Sequence, residues 1–167
     1  MSTTTTPFTS QFAAAEAAWR QTETRIEALR QAEQTLVVAR YDFVEASRRA
    51  NHWQRFFTAA QVQPCAEAII AGYQAEWHTK TAEEKRQRFE ASYRQALAAY
   101  RQARNDVRAE ATDNQIAMTA SDDHPDSPPF RALVARDQAY AQEIHLLDEQ
   151  IERLEADLRA TFRLANL

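Results

Sequence analysis

The sequence contains a single glycine, Gly72, where an average chain of 167 residues would have roughly eleven. Glycine supplies the positive φ angles that tight hairpins, bulges and phosphate-binding loops require. Its scarcity therefore excludes most sheet architectures and the nucleotide-binding folds that depend on glycine-rich loops. The residues that dominate instead are alanine, glutamine, glutamate, arginine and leucine, and all of them favour helices.

Cysteine is equally scarce, because Cys65 is the only one in the chain. One thiol cannot form an intrachain disulfide or a cysteine-based zinc site.

No apolar run approaches the length that crosses a bilayer, and the N-terminal residues lack the basic and apolar regions of a secretory signal. We therefore expect a cytoplasmic protein with no membrane span. The net charge of −4 argues weakly against a general nucleic-acid binder, which is usually basic.

Apolar residues recur at alternating spacings of four and three along most of the chain, which is the pattern of a heptad seam. The later part of the predicted second-helix seam consists of Phe89, Tyr93, Ala96, Tyr100, Ala103 and Val107. The predicted third-helix seam consists of Phe130, Leu133, Tyr140, Ile144, Leu147, Ile151, Leu154, Leu158 and Phe162. The pattern predicts an all-α protein in which long antiparallel coiled-coil helices form a three-helix bundle with a projecting two-helix tip. Within this single domain we expect a flexible polar tail, a long helical hairpin, an acidic proline-rich linker and a third helix. Their ranges are 1–9, 10–112, 113–128 and 129–167.

The hairpin is expected to turn near Gln63 and Pro64, with a first helix from about Ser10 to Ala60 and a second from about Cys65 to Thr112. Proline closes the first helix, because it is tolerated only at a helix start. Thr81 and Glu84 have capping-box spacing, which leaves open a break in the second helix near residues 78–82. Ser127 is a good N-cap for the third helix, with two prolines following in its first turn.

Closing the hairpin at its turn predicts a register in which Leu36 faces Phe89 and Gly72 faces Trp53. Folding the third helix back on the second places Asp137 opposite Arg104 and sets an acidic helix against a basic one. The third helix has about 36 residues, or roughly 54 Å at 1.5 Å per residue. Because it is too short to cover the whole hairpin, residues 47–78 are expected to project as a two-helix tip.

The residues that carry chemistry do not form a recognisable catalytic or metal-binding pattern. The four histidines, His52, His78, His124 and His145, lack the spacings of di-iron and zinc helix motifs. Cys65 could meet a histidine near the turn, but an inert thiol is the better interpretation. The loop residues Asp122, Asp123, His124 and Asp126 could bind a cation, although a solvated loop is favoured because no EF-hand pattern is present. We therefore predict no catalytic residue, no cofactor and no metal, so that the chain is not an enzyme.

Two surfaces remain as candidates for binding. The arginines Arg94, Arg101 and Arg108 repeat every seven residues with Arg104 beside them, and such a stripe could contact phosphates or pair with the acidic third helix. Pairing with the third helix is the favoured interpretation. The projecting tip is rich in aromatic and aliphatic side chains that a single two-helix seam cannot all bury. Its seam is expected to be filled by Phe57, Ile69 and Tyr73 with part of Trp53, which leaves Phe56 and Ile70 outside the seam and Trp77 near its edge. Its predicted partner-binding residues are Trp53, Phe56, Phe57, Ile69, Ile70, Tyr73 and Trp77.

These features favour a non-enzymatic protein–protein interaction module that binds protein partners or self-associates through helical surfaces. It would act as an adaptor, chaperone or assembly component of a larger complex, and secretion-type machines are one setting in which long helical hairpins of this size occur. The alternative is a nucleic-acid-associated helical protein that uses the arginine stripe. A further alternative for the tip itself is that it buries its own aromatic side chains as core.

Overall fold

The computed structural model describes the backbone of residues 7–60 and 66–163, and the side chains of residue 17, residues 19–60 and residues 66–162. Three helices occupy nearly all of this length: α1 (Pro7–Ala60), α2 (Ala66–Ala120) and α3 (Pro128–Arg163). The described residues contain no strand, and the prediction of an all-α protein is confirmed. The predicted turn with Pro64 and Cys65, the first six residues of the predicted tail and the predicted helix after Arg163 lie outside the described residues.

The first two helices are longer than predicted. α1 begins at Pro7 instead of Ser10, because proline is tolerated in the first turn of a helix. α2 passes through residues 78–82 without a break, and the Thr81 hydroxyl donates to the Trp77 carbonyl at 2.9 Å instead of capping a new helix. These boundaries replace the predicted tail over residues 7–9 and the possible break.

α2 ends at Ala120 instead of Thr112, so the linker covers residues 121–127 and not 113–128. Residues 113–120 contain neither glycine nor proline, so nothing in them interrupts a helix. Asn114 is buried, and its amide donates to the Leu133 carbonyl of α3 at 3.0 Å. The predicted N-cap of α3 is confirmed, because the Ser127 hydroxyl accepts a hydrogen bond from the Phe130 amide at 3.3 Å.

α2 is the central helix, since it packs against both α1 and α3. Within the described residues, no Cα atom of α1 lies within 8 Å of one in α3. The main core cluster lies between α2 and α3, with Leu29 of α1 and several half-buried residues of α3 packed against it. Its buried members are Leu97, Tyr100, Ala103, Val107, Leu147 and Ile151.

The region where all three helices meet has a different kind of contact at each end. At one end the Arg25 guanidinium of α1 donates to Glu110 of α2 at 2.7 Å and lies 3.1 Å from Glu143 of α3. At the other end, Phe89 of α2 contacts an aromatic ring from each neighbour. It stacks on Phe43 of α1 at 5.7 Å and lies 5.5 Å from Phe162 of α3, both between ring centroids.

The register between α1 and α2 differs from the predicted one. Residue numbers rise along α1 as they fall along α2, but Phe89 faces Phe43 instead of Leu36, which lies one heptad away. At the tip the offset is one helical turn: Gly72 faces Phe57, four residues from the predicted Trp53, since a Cβ atom at Gly72 would lie 3.1 Å from the Phe57 ring. A seam with the same repeat on both helices matches itself after seven residues, so the pattern alone could not select the register. Coiled-coil packing in the strict sense stays a prediction.

The predicted pairing of α2 with α3 is also wrong. Arg104 pairs with Asp148 at 2.9 Å, whereas Asp137 accepts a hydrogen bond from Gln115 at 3.3 Å. The cause is the eight additional residues of α2, which move the turn before α3 along the chain. α3 still ends well below the tip, because Phe162 contacts Phe89 and Tyr93. The described residues between 47 and 78 therefore lie beyond the contacts that α3 makes with α2, which agrees with the predicted two-helix tip.

Candidate partner-binding tip

Most of the predicted partner-binding side chains at the tip are exposed. Phe56 is 50% exposed, Ile69 60%, Ile70 61%, Tyr73 71% and Trp77 61%. Trp53 and Phe57 are half-buried. This exposure does not agree with the alternative in which the tip buries all seven side chains as its own core.

The seam predicted for the tip is wrong on the α2 side. Ile69 and Tyr73 were expected to fill the contact with α1, but α2 instead buries Ala71 and Ala75, which are 1% and 3% exposed. Small side chains at these positions let the two helices approach closely, and the Phe57 ring then packs on Gly72. The larger side chains are consequently turned outward.

An open groove of about 1000 Å³ runs along one side of the tip. Phe57 and Gln54 line it from α1, and the rest of its lining comes from a single face of α2 between Ala68 and Gln87. Two of the exposed apolar residues, Ile69 and Tyr73, are part of this lining. We call this feature the tip groove, and its α2 residues are Ala68, Ile69, Gly72, Tyr73, Ala75, Glu76, Thr79, Lys80, Glu83, Glu84 and Gln87.

A cluster of aromatic rings lies outside the tip groove. Trp53 stacks on His78 with ring centroids 5.9 Å apart, and Phe56 meets the edge of Trp53 at 5.7 Å. Trp77 contacts His78 at 4.7 Å, and His52 completes the cluster at 5.8 Å from Trp53. The predicted partner-binding residues thus divide between the tip groove and this aromatic cluster, and only Ile70 belongs to neither.

Sequence reasoning missed an exposed apolar stripe on α1. Val37, Tyr41 and Val44 follow 4-3 spacing on one face of the helix, and all three are exposed. Tyr41 also lines a cleft of about 280 Å³ together with Trp77 and His78, so the stripe adjoins the aromatic cluster. The sequence contains this spacing, but these residues are next to the seam residues Leu36 and Phe43, which have the larger apolar repeat. The pattern was therefore assigned to the seam alone.

The four residues of the arginine stripe all have carboxylate partners. Arg94 pairs with Glu90 of its own helix at 2.7 Å. The other three pair with α3, which is the favoured sequence interpretation. The distances are 2.6 Å for Arg101 to Glu155, 2.9 Å for Arg104 to Asp148 and 3.3 Å for Arg108 to Asp148. Phosphate binding by this stripe would have to compete with these ion pairs.

The acidic linker uses its polar groups locally. Asp123 accepts a hydrogen bond from the Ser121 hydroxyl at 3.0 Å, and Asp126 pairs with Arg131 at 3.3 Å. In the part of the chain that the structure describes, no three His, Cys, Asp or Glu side chains are grouped so that they could hold a metal ion. Within the same part, none of the helices has an apolar stretch of the kind that spans a bilayer.

Comparison of the chain with protein-family models, curated proteins and solved structures gave no match. Its function is therefore inferred from the geometry and chemistry of its own side chains.

Proposed function

We propose that this chain is a non-enzymatic protein–protein interaction module whose projecting tip binds a partner protein. The observation that supports it most is the position of the exposed apolar side chains. Ile69, Tyr73, Phe56 and Trp77 all lie on the tip, beyond the point where Phe162 of α3 contacts α2. Clusters of exposed apolar side chains on a soluble protein usually mark a binding site, and tryptophan and tyrosine are frequent hot-spot residues.

The architecture suits an adaptor, a chaperone or an assembly component acting in the cytoplasm. α1 has 54 residues, so it extends over roughly 81 Å at 1.5 Å per residue. Such a helix can hold a binding tip away from the three-helix body. The body itself is stabilised near one end by the ion pairs of Arg25 and near the other end by the ring contacts of Phe89. A partner would then bind the tip without disturbing the core.

The ion pairs of the arginine stripe weaken the nucleic-acid alternative. Arg101, Arg104 and Arg108 already face carboxylates of α3 within 3.3 Å. Contact with phosphates would break these ion pairs. It would also bring the nucleic acid close to the carboxylates of Asp148 and Glu155, which would repel its phosphates. The proposal therefore assigns the stripe to the packing of α3.

The proposal is tested by capture of partners from an extract of the native cell on the immobilised full chain. Two tip variants are compared with wild type: Ile69→Ser with Tyr73→Ser in the tip groove, and Phe56→Ser with Ile70→Ser outside it. The matched control is Ile116→Ser with Leu146→Ser, because these two apolar residues are also about 60% exposed but lie on α2 and α3 of the body.

At least one tip variant should reduce the captured amount of a specific partner by about tenfold or more, since a hot-spot residue contributes about 2 kcal/mol. The control should retain the partner, and the melting temperatures of all variants should stay within a few degrees of wild type. Equal loss in the control, or full capture by both tip variants, would contradict the proposal.

A further inference from the structure

The tip groove lies on the same face of α2 that carries α3 in the body of the protein. Ile69 and Leu97 occupy equivalent positions four heptads apart, and so do Gly72 and Tyr100. In the body, Leu97 and Tyr100 are buried in the cluster that contains Leu147 and Ile151 of α3. At the tip, the equivalent face of α2 is open to solvent and lines the groove.

The groove also begins next to the end of the described part of α3. Phe162, near that end, contacts Phe89 of α2, and the groove lining starts two residues further along α2, at Gln87. From Gln87 to Ala68 the lining covers 20 residues of α2, which corresponds to roughly 29 Å of helix. The open face is therefore continuous with an established helix–helix interface and is long enough for a helix of about five turns.

The charge beside this face changes sign between the body and the tip. In the body the flanking residues Arg101 and Arg104 pair with acidic residues of α3. The tip groove is lined by three carboxylates, Glu76, Glu83 and Glu84, against one ammonium group, that of Lys80. A helix seated in the groove would therefore be favoured by basic flanks, whereas α3 has acidic ones.

This difference in charge also bears on self-association. α3 from a second copy would bring its Asp148 and Glu155 side chains towards the carboxylates of the groove. Among the described side chains, Glu76 and Glu84 have no ion pair that would neutralise them, while Glu83 is paired with Arg86 at 2.7 Å. Like charges close together at an interface oppose association, so the groove disfavours α3 of another copy.

We infer that the tip groove is the binding site for an amphipathic α-helix from a partner protein. That helix has an apolar seam, which packs on Ile69, Gly72 and Phe57, and lysine or arginine residues along its flanks. The inference rests on the proposed function, because it names the kind of partner that the tip binds. It adds which side of the tip is used and what the bound segment looks like.

A dye-labelled peptide provides the probe. It consists of residues 139–159 of this chain with Asp148→Lys and Glu155→Lys. These changes keep the apolar seam of α3, reverse the charge at the two positions that pair with α2, and raise the net charge of the segment from −4 to 0. The same peptide without these substitutions is the charge control. Binding to the full-length chain is measured by fluorescence anisotropy in wild type, in the groove variant (Ile69→Ser with Tyr73→Ser) and in the outer variant (Phe56→Ser with Ile70→Ser).

The peptide with the two lysine substitutions should bind wild type at least about tenfold more tightly than the unmodified peptide, and the groove variant should weaken its binding at least about tenfold. The outer variant should change its affinity by less than about twofold, since neither Phe56 nor Ile70 lines the groove. Raising the salt concentration should weaken binding, because the flanking charges are exposed.

Any one of four results would overturn the inference. Equal binding of the two peptides would remove the charge argument, and unchanged binding to the groove variant would place the helix elsewhere. If wild type sediments as a dimer and the groove variant as a monomer, the occupant of the groove is a second copy of this chain. If native partner capture is lost only in the outer variant, the tip still binds a partner and the groove inference alone fails.

Discussion

Ile69 and Leu97 lie at equivalent positions of α2, four heptads apart, yet Ile69 is 60% exposed and Leu97 only 8%. The difference arises because Leu97 packs with Leu147 and Ile151 of α3, which does not extend to Ile69. The pair therefore separates the effect of burial from the effect of position in the helix.

This pair gives the first prediction. Leu97→Ser should lower the free energy of unfolding by about 2–5 kcal/mol, because it removes a buried side chain and inserts a hydroxyl into the core. Ile69→Ser should lower it by less than about 1 kcal/mol, because the side chain is mostly solvated. Urea unfolding followed by circular dichroism measures both. Equal destabilisation would mean that Ile69 is buried in solution.

The second prediction concerns the register of the hairpin. The Lys85 ammonium lies 2.9 Å from the Asp42 carboxylate. In a Cys65→Ser background, the pair Asp42→Cys with Lys85→Cys should therefore crosslink within one chain through a short bifunctional thiol reagent, which makes up for the shorter cysteine side chains. The pair Thr35→Cys with Lys85→Cys is one heptad away, or roughly 10 Å along the helix, and should not. Crosslinked dimers instead of monomers on a denaturing gel would mean that the helices pair between chains.

The third prediction concerns Arg25, whose side chain is buried between Glu110 and Glu143. Burial alone would lower the pKa of Arg25, but the hydrogen bond to Glu110 and the charges of both glutamates outweigh it and raise the pKa. Arg25→Met should lower the free energy of unfolding by about 1–3 kcal/mol, a reduced value because both glutamates are partly solvated. Arg25→Lys should recover only part of this loss, since an ammonium group cannot reproduce the forked contact. An unchanged free energy of unfolding in Arg25→Met would show that the ion pairs of Arg25 with Glu110 and Glu143 do not stabilise the fold.

The fourth prediction concerns alkaline pH. The buried Tyr100 hydroxyl donates to Glu33, and burial, that hydrogen bond and the Glu33 charge all raise the pKa of Tyr100. In the unfolded chain the phenol titrates near its usual value of about 10. The stability that Tyr100 contributes is therefore complete below about pH 10 and is lost as the pH rises towards its folded value.

The measurement compares urea unfolding at about pH 9 and about pH 11 in wild type and in Tyr100→Phe, which has no proton to release. Wild type should lose more stability over this interval than the variant does. A wild type and a variant with the same pH dependence would mean that the phenol ionises as freely in the folded chain as in the unfolded one.

Much of the fold was predictable because large apolar side chains mark the buried faces of two helices. From Phe89 to Val107 the predicted seam of α2 is buried, and no residue of the predicted α3 seam is exposed. The length of α3 followed from the linker prolines and the end of its apolar pattern, and the projecting tip followed from that length.

The errors have equally definite physical causes. At the tip, hydrophobicity favoured Ile69 and Tyr73 for the seam, but close helix packing selects small residues such as Ala71 and Ala75. The register could not be deduced because a heptad seam repeats itself. The end of α2 depends partly on the tertiary contact of Asn114 with α3, which no local pattern reveals.

The candidate site was predictable in composition but not in geometry. The seven residues lie on the tip, and five of them are exposed. Their division between a groove and an aromatic cluster depends on the rotation of α2 about its axis, which the sequence leaves open. The stripe of Val37, Tyr41 and Val44 was missed for a related reason, because its spacing lies next to that of the buried seam.

Binding of a partner protein by the tip can be detected by site-specific photo-crosslinking in the native cell. A photoreactive amino acid is placed singly at Tyr73 or Phe56 on the tip and at Ile116 or Leu146 on the body. All four side chains are at least half exposed, so the substitutions should leave the fold intact. We expect a discrete adduct with one partner protein from a tip position and none from the body positions. Adducts from the body alone, or none from either tip position, would contradict it.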